Sequence, residues 1–302
     1  GADSLYIALG DGTAVPEGYV EKLAAQLEAE YGVENFTNYA EDRNTVGAEV
    51  DKVADRSGIA DADLITIGFG NATLLENAVR NGTKEYDWAG LVGADLVPYV
   101  EEALAEVYAE IAKADMGEEM TAFVNSIVEG LAYGAVEYAV ELPALVNAIR
   151  EVNAEAVIVI VGQYNPMEGV VLEMGGVTLD LSEYIGYFVD AVAVHGIGYA
   201  MITGDAIFVE APEVETSNTD MSWSMGDLMD MMMYSGFNAL YPSEAGDTYI
   251  TNQILGALNI TKIEEEEPAG LWGDVDSDGE VTTNDAMMVL QYAVGARAAD
   301  TL

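Results

Sequence analysis

The chain has 302 residues, 51% of them apolar, and its 54 acidic against 10 basic residues give a formal charge of −44. That charge repels a phosphate backbone and excludes nucleic-acid binding, while the apolar content excludes a disordered acidic tail, which needs low hydrophobicity as well as high charge. Cysteine is absent, so disulfides, thiolate metal sites and cysteine nucleophiles are excluded together.

Taken in chain order, four short runs read as buried parallel strands because they are continuous and β-branched rather than alternating: Ser4 to Leu9, Asp63 to Ile67, Ala156 to Val161 and Ala206 to Val209. Apolar spacing between them predicts helices over 18–31 (Val20, Leu23, Ala24, Leu27), over 98–112 behind a first-turn proline, and over 121–152 with an interruption at Leu142-Pro143. His195 falls in a further helical stretch, Met221, Met225, Leu228, Met229 and Met232 recur at helical spacing as a core-facing stripe, and a last helix runs over 243–258. Strand and helix alternating in this way predict a doubly wound α/β sheet covered on both faces. No unbroken apolar run reaches the ~18 residues of a membrane span, and the opening Gly-Ala-Asp-Ser lacks the regions of a signal peptide. So acidic a surface suits an extracellular setting where cations screen it. Sequons at Asn35, Asn71, Asn81 and Asn259 permit N-glycosylation only in a suitable secretory system.

Past the last helix, Glu264-Glu265-Glu266-Glu267-Pro268 reads as a solvated linker, giving a large domain over 1–262, a linker over 263–270 and a small module over 271–302. The module holds a calcium loop. Asp274, Asp276 and Asp278 stand at loop positions 1, 3 and 5, Gly279 at position 6, Glu280 at 7, Thr282 at 9 and Asp285 at 12. A hard cation needs about six or seven oxygens, and this spacing supplies three early carboxylates, the Glu280 carbonyl, Thr282 directly or through water, and Asp285 from the following helix. With Gly273 ahead and the helix from Ala286 to the capping Gly295 behind, the segment resembles one repeat of a type I dockerin, the module that binds cohesins. Dockerins carry two repeats and one is present here. The apolar face of its helix, Ala286, Val289, Leu290 and Ala293, therefore calls for cover from the main domain or another chain.

In the large domain, Tyr6-Ile-Ala-Leu-Gly-Asp-Gly-Thr13 after a strand, Asn38-Tyr-Ala40, Asp63-Leu-Ile-Thr-Ile67 with Gly70-Asn71, Val159 to Pro166 and Leu240-Tyr-Pro-Ser243 resemble, in order, the blocks of the SGNH (GDSL-type) hydrolases. The resemblance implies a flavodoxin-like fold over roughly 3–258 and ester-cleaving ancestry. At the family's reactive positions the residues differ: Gly12 replaces the nucleophilic serine, Arg43 the oxyanion glycine, and Asn238 and Tyr241 the aspartate and histidine of the last block. Ala72 falls on the oxyanion asparagine, which a one-residue shift returns to Asn71. Acyl transfer needs a nucleophile, a base and oxyanion donors, and the first two are missing; Thr13 lies off register, and His195 reads as structural. The expected fold is thus a flavodoxin-like doubly wound sheet with a small helical calcium half-module. The expected function is a secreted, non-catalytic, Ca2+-dependent assembly protein joined to an identical neighbour, with filament formation in view, or to a cohesin. Two other readings stay open: a cellulosomal carbohydrate esterase with a displaced site, and a polysaccharide-binding module.

Overall fold

The computed structural model describes residues 3–14, 17–80, 97–174 and 176–260. The chain divides into two units, Gly1–Thr261 and Lys262–Leu302, and every described residue belongs to the first.

Five parallel strands form the central sheet: β1 (Leu5–Gly10), β2 (Asn35–Asn38), β3 (Leu64–Gly68), β4 (Val157–Val161) and, after an intervening hairpin, β7 (Ile207–Val209). Their order is β2-β1-β3-β4-β7, with Ile7 opposite Ile65 and Ile65 opposite Ile158. This is the flavodoxin-like doubly wound arrangement. The four expected strands all form, each within a residue or so of the predicted span. β2 was not among them because three of the four residues of Asn35-Phe-Thr-Asn38 are polar and it lies at the sheet edge, where nothing demands an apolar run.

The continuous apolar strands follow from burial on both faces. In β1, Ile7 and Leu9 enter one core with Ile65, Ile67, Ile158 and Ile160, while Tyr6 and Ala8 enter the other with Leu64, Val159 and Val161. The second face is covered by α1 (Tyr19–Tyr31) through Val20, Leu23 and Leu27, and by α8 (Glu244–Leu258) through Ile250 and Ile254. Ser243 caps α8 by accepting from the Gly246 amide, and Gly32 ends α1 in the left-handed region. The first face carries α2 (Val46–Val50), α3 (Asn71–Arg80), α4 (Val97–Lys113) and α5 (Glu118–Val152).

α5 runs through Pro143 without the expected interruption. An interior proline costs ~3 kcal/mol, but Leu142, Leu145 and Val146 are fully buried around it. Burying each such side chain returns ~1.5–3 kcal/mol, so packing prevails over the lost hydrogen bond.

A second, three-stranded sheet of β5 (Val171–Met174), β6 (Val177–Asp180) and β8 (Ser222–Ser224) flanks α6 (Leu181–Thr203). α6 is the one described helix long and apolar enough, by length and composition, to cross a membrane. The search for an unbroken apolar run passes over it because Glu183, Asp190 and several glycines dilute the pattern. A third of its apolar window is buried in the domain. The methionine stripe is likewise shorter than its spacing predicts: α7 (Met225–Asp230) begins after the exposed Met221, and of the stripe only Leu228 is buried. Ser224 and Asp227 form a capping box that starts the helix after Met221.

α3 and α5 touch backbone to backbone. A Cβ on Gly134 of α5 would lie 2.6 Å from the Thr73 carbonyl oxygen, and one on Gly130 would meet Asn77 and Ala78. This close approach holds the first turn of α3 in place beside β1. Gly134→Ala is therefore expected to lower stability by about 1–3 kcal/mol through overpacking, whereas Gly256→Ala on α8, with nothing within 4 Å, raises it by up to about 1 kcal/mol. Thermal melts of the two variants check the pair, and equal shifts contradict the contact.

Candidate functional site: a filled crevice

The sheet order reverses at β1, so the crevice outside the carboxyl ends of β1 and β3 is where a ligand is expected in such folds. Asp11, directly after β1, is fully buried there. One of its oxygens accepts from the Thr13 amide at 2.9 Å and from the Thr13 hydroxyl; the other accepts from the Gly70 amide at 3.2 Å and the Ala72 amide at 2.9 Å. Burial pushes its pKa up and these donors pull against it, with a net rise. Asp11 thus clamps the loop after β1 to the loop after β3. It has no free lone pair aimed at the crevice.

Gly12 follows, buried in a short 3₁₀ turn. A Cβ at this position would fall on the ring and hydroxyl of Tyr241. The structure therefore brings two of the sequence-singled residues into direct contact, and the second occupies the space that a side chain at the first would need. Tyr241 follows the turn Asn238–Leu240, packs half-buried against the core and donates from its hydroxyl to the Asp42 carboxylate. Burial, then the Asp42 hydrogen bond and charge, raise its pKa far above the ordinary tyrosine value. It is a fixed donor and cannot serve as a neutral-pH base.

Arg43 adjoins this plug. Its φ of +58° is left-handed, a region where glycine is favoured and a side chain is strained. Arg43 remains there because its Nε donates to Glu76, whose side chain is 2% exposed, and its guanidinium lies 5.0 Å from the centre of the Phe237 ring. This ion pair to a buried carboxylate, with the ring contact beside it, offsets the ~1 kcal/mol of backbone strain that a glycine would relieve.

The remaining positions do not assemble a reactive group. Ala72 is buried and gives its amide to Asp11; Asn71, buried at the start of α3, lies beside the Tyr164 hydroxyl, which donates to the Leu240 carbonyl at 2.9 Å. Burial also closes the Asn71 sequon in the folded chain. Asn238 is exposed. His195 lies inside α6. Beside Thr13, between Tyr19, Gly68, Gln163 and Tyr164, the void is about 10 Å³, room for about one water and none for an ester.

The plug was foreseeable only in part. Tyr241 and Gly12 are noticed separately through the altered motifs, but their contact joins residues more than two hundred positions apart. Asp42 and Glu76, which hold Tyr241 and Arg43, carry no motif. The calcium ligands expected from the sequence, Asp274, Asp276, Asp278, Glu280, Thr282 and Asp285, lie outside the described residues. Among the described residues no group of three or more histidine, aspartate or glutamate side chains is placed to hold a metal ion.

No protein-family model matches the chain, and no curated protein matches it. Solved structures similar to it include an extracellular lipase from Streptomyces rimosus, at 14% identity over 84% of this chain and 99% of that one with a TM-score of 0.49. They also include Axe2, an acetylxylan esterase from Geobacillus stearothermophilus, at 15% identity over 88% and 98% with a TM-score of 0.47. A family 3 carbohydrate esterase from Clostridium thermocellum matches at 13% identity over 84% and 94% with a TM-score of 0.45.

Two outcomes follow from the crevice. Gly12→Ser is expected to cost about 1–3 kcal/mol by overpacking in the wild-type background and less than about 0.5 kcal/mol once Tyr241→Ala has opened the space; equal costs in a denaturant double-mutant cycle contradict the contact. Asp247, 7% exposed in the first turn of α8, has its pKa raised by burial to about 6, against about 3.9 unfolded. Between roughly pH 4 and 6 the unfolded chain releases a proton that the folded chain keeps, so stability falls as pH rises through that window. Asp247→Asn should flatten this slope and stabilise the protein at pH 7; an unchanged slope in pH-dependent melts counts against the assignment.

Proposed function

We propose that the large domain is an SGNH-like body without hydrolytic activity, used as a building block of a secreted, calcium-dependent assembly. The observation that carries the first half is the Tyr241 side chain standing where the family's nucleophile would project from position 12. A hydrolase needs that volume for both its nucleophile and the attacked carbonyl, and here it holds a tyrosine bonded to Asp42. The second half rests on the loop Asp274 to Asp285, whose oxygen spacing suits Ca2+, and on the dockerin-like helix behind it. An identical neighbouring subunit is the favoured partner and a cohesin the other. A heterologous contact of this kind propagates into a filament when its rotation does not close.

A displaced esterase site is the second reading, and one observation favours it: the Thr13 hydroxyl donates to the buried Asp11 carboxylate, a hydroxyl–acid pair within two residues of the lost nucleophile. Against it stand the depth of Thr13 and the three amides that already occupy Asp11.

Two measurements separate these readings. Light scattering of the full chain should show large assemblies with Ca2+ that dissolve in excess chelator, and assemblies that persist in chelator oppose the calcium reading. Hydrolysis of nitrophenyl acetate and acetylated xylan should stay at the uncatalysed rate; turnover abolished by Thr13→Val establishes the displaced esterase instead.

A further inference from the structure

At the edge of the sheet opposite β2, an apolar surface is left open. β7 pairs with β4 alone among the described residues, so its outer backbone edge faces no strand. Beside it runs the second half of α6, where Val194 is 52%, Met201 81% and Ile202 87% exposed. A groove of about 320 Å³ separates helix from strand, lined by Ile197, Ala200, Met201, Ala206, Phe208 and Glu210. Glu210 and Ile197 also line the neighbouring groove that extends along α6 past Asp190. Methionine and isoleucine standing this far into water on a regular helix are costly unless something covers them.

Charge narrows what can do so. Each chain carries −44, so two copies repel except where the touching segments are poor in acid. From Ala191 to Gly204, the exposed half of α6, there is no acidic residue. From Ala286 to Ala299 there is none either, and Arg297 adds a cation. That second segment contains the predicted helix with the apolar face Ala286, Val289, Leu290 and Ala293. Its lengthwise character, apolar and then basic, complements a groove that is apolar along Met201 and Phe208 and acidic at Glu210.

We infer that the groove between α6 and β7 receives the segment 286–299 of a second copy of the chain, with Leu290 and Val289 against Met201 and Ile202 and Arg297 against Glu210. The inference rests on the assembly reading above and supplies its receptor. A symmetric pairing of two β7 edges is disfavoured because it would bring Asp205 and Glu210 of both copies together.

The test is sedimentation and light scattering of the full chain with Ca2+ across a concentration series. Met201→Gln with Ile202→Gln, which leaves the net charge unaltered, should raise the concentration needed for assembly by at least about tenfold. Met221→Gln with Met233→Gln, also exposed but lying near β8 and α7, should leave it within about twofold. Glu210→Arg and Arg297→Glu should each weaken assembly and restore it when combined in one chain, a rescue that a merely destabilised fold would not give. Melting temperatures and Ca2+ titration of each variant confirm that folding and metal binding persist. Assembly of wild type and of the Met201/Ile202 variant at the same concentration, with no charge-swap rescue, overturns the groove and leaves the assembly reading intact. A wild-type chain that stays monomeric with Ca2+ overturns the assembly reading itself.

Discussion

The crevice is organised by one buried carboxylate. Asp11 accepts from the amides of Thr13, Gly70 and Ala72 and from the Thr13 hydroxyl, and so fixes the ends of β1 and β3 against each other. Each of those amides would otherwise be a buried donor without an acceptor, at ~1–3 kcal/mol apiece. The clamp holds the loop after β1 and the loop after β3 in one fixed arrangement at the mouth of the crevice. Gly68, Gly70 and the left-handed Arg43 belong to the same frame.

Within that frame the replacements are mutually consistent. Gly12 leaves space beside a buried carboxylate; Tyr241 fills it with a ring and gives its hydroxyl to Asp42. Arg43 fills the adjoining space and neutralises Glu76 while stacking on Phe237. An empty space there would cost stability in proportion to its volume, so the filling side chains contribute to stability. The same residues could not accommodate a nucleophile and a base without giving up these contacts.

How much of this the sequence disclosed follows from the kind of signal each part leaves. Both-faced burial writes itself as a continuous apolar run, and β1, β3, β4 and β7 were legible for that reason. β2 and the small second sheet pair at edges with mixed residues, as in Asn35-Phe-Thr-Asn38, and leave no run to find. Pro143 was misleading because its cost is local and fixed whereas the burial around it is collective. At the crevice, the altered motifs named Gly12, Arg43, Ala72, Asn238 and Tyr241. That Tyr241 fills the space beside Gly12 could not be read, since the packing depends on the distant partners Asp42, Glu76 and Phe237. α6 is the mirror case: its composition resembles a buried or membrane-spanning helix, and only the packing reveals which of its side chains remain in water.

Covalent labelling of the folded chain addresses the filled crevice most directly. Incubation with an excess of a fluorophosphonate that modifies activated hydroxyls, read by intact mass spectrometry, should leave the mass unchanged, because the hydroxyls placed beside Gly12 are committed to carboxylates, Thr13 to Asp11 and Tyr241 to Asp42. Stoichiometric addition of one label at Thr13 or Tyr241, lost on unfolding the protein beforehand, would contradict it.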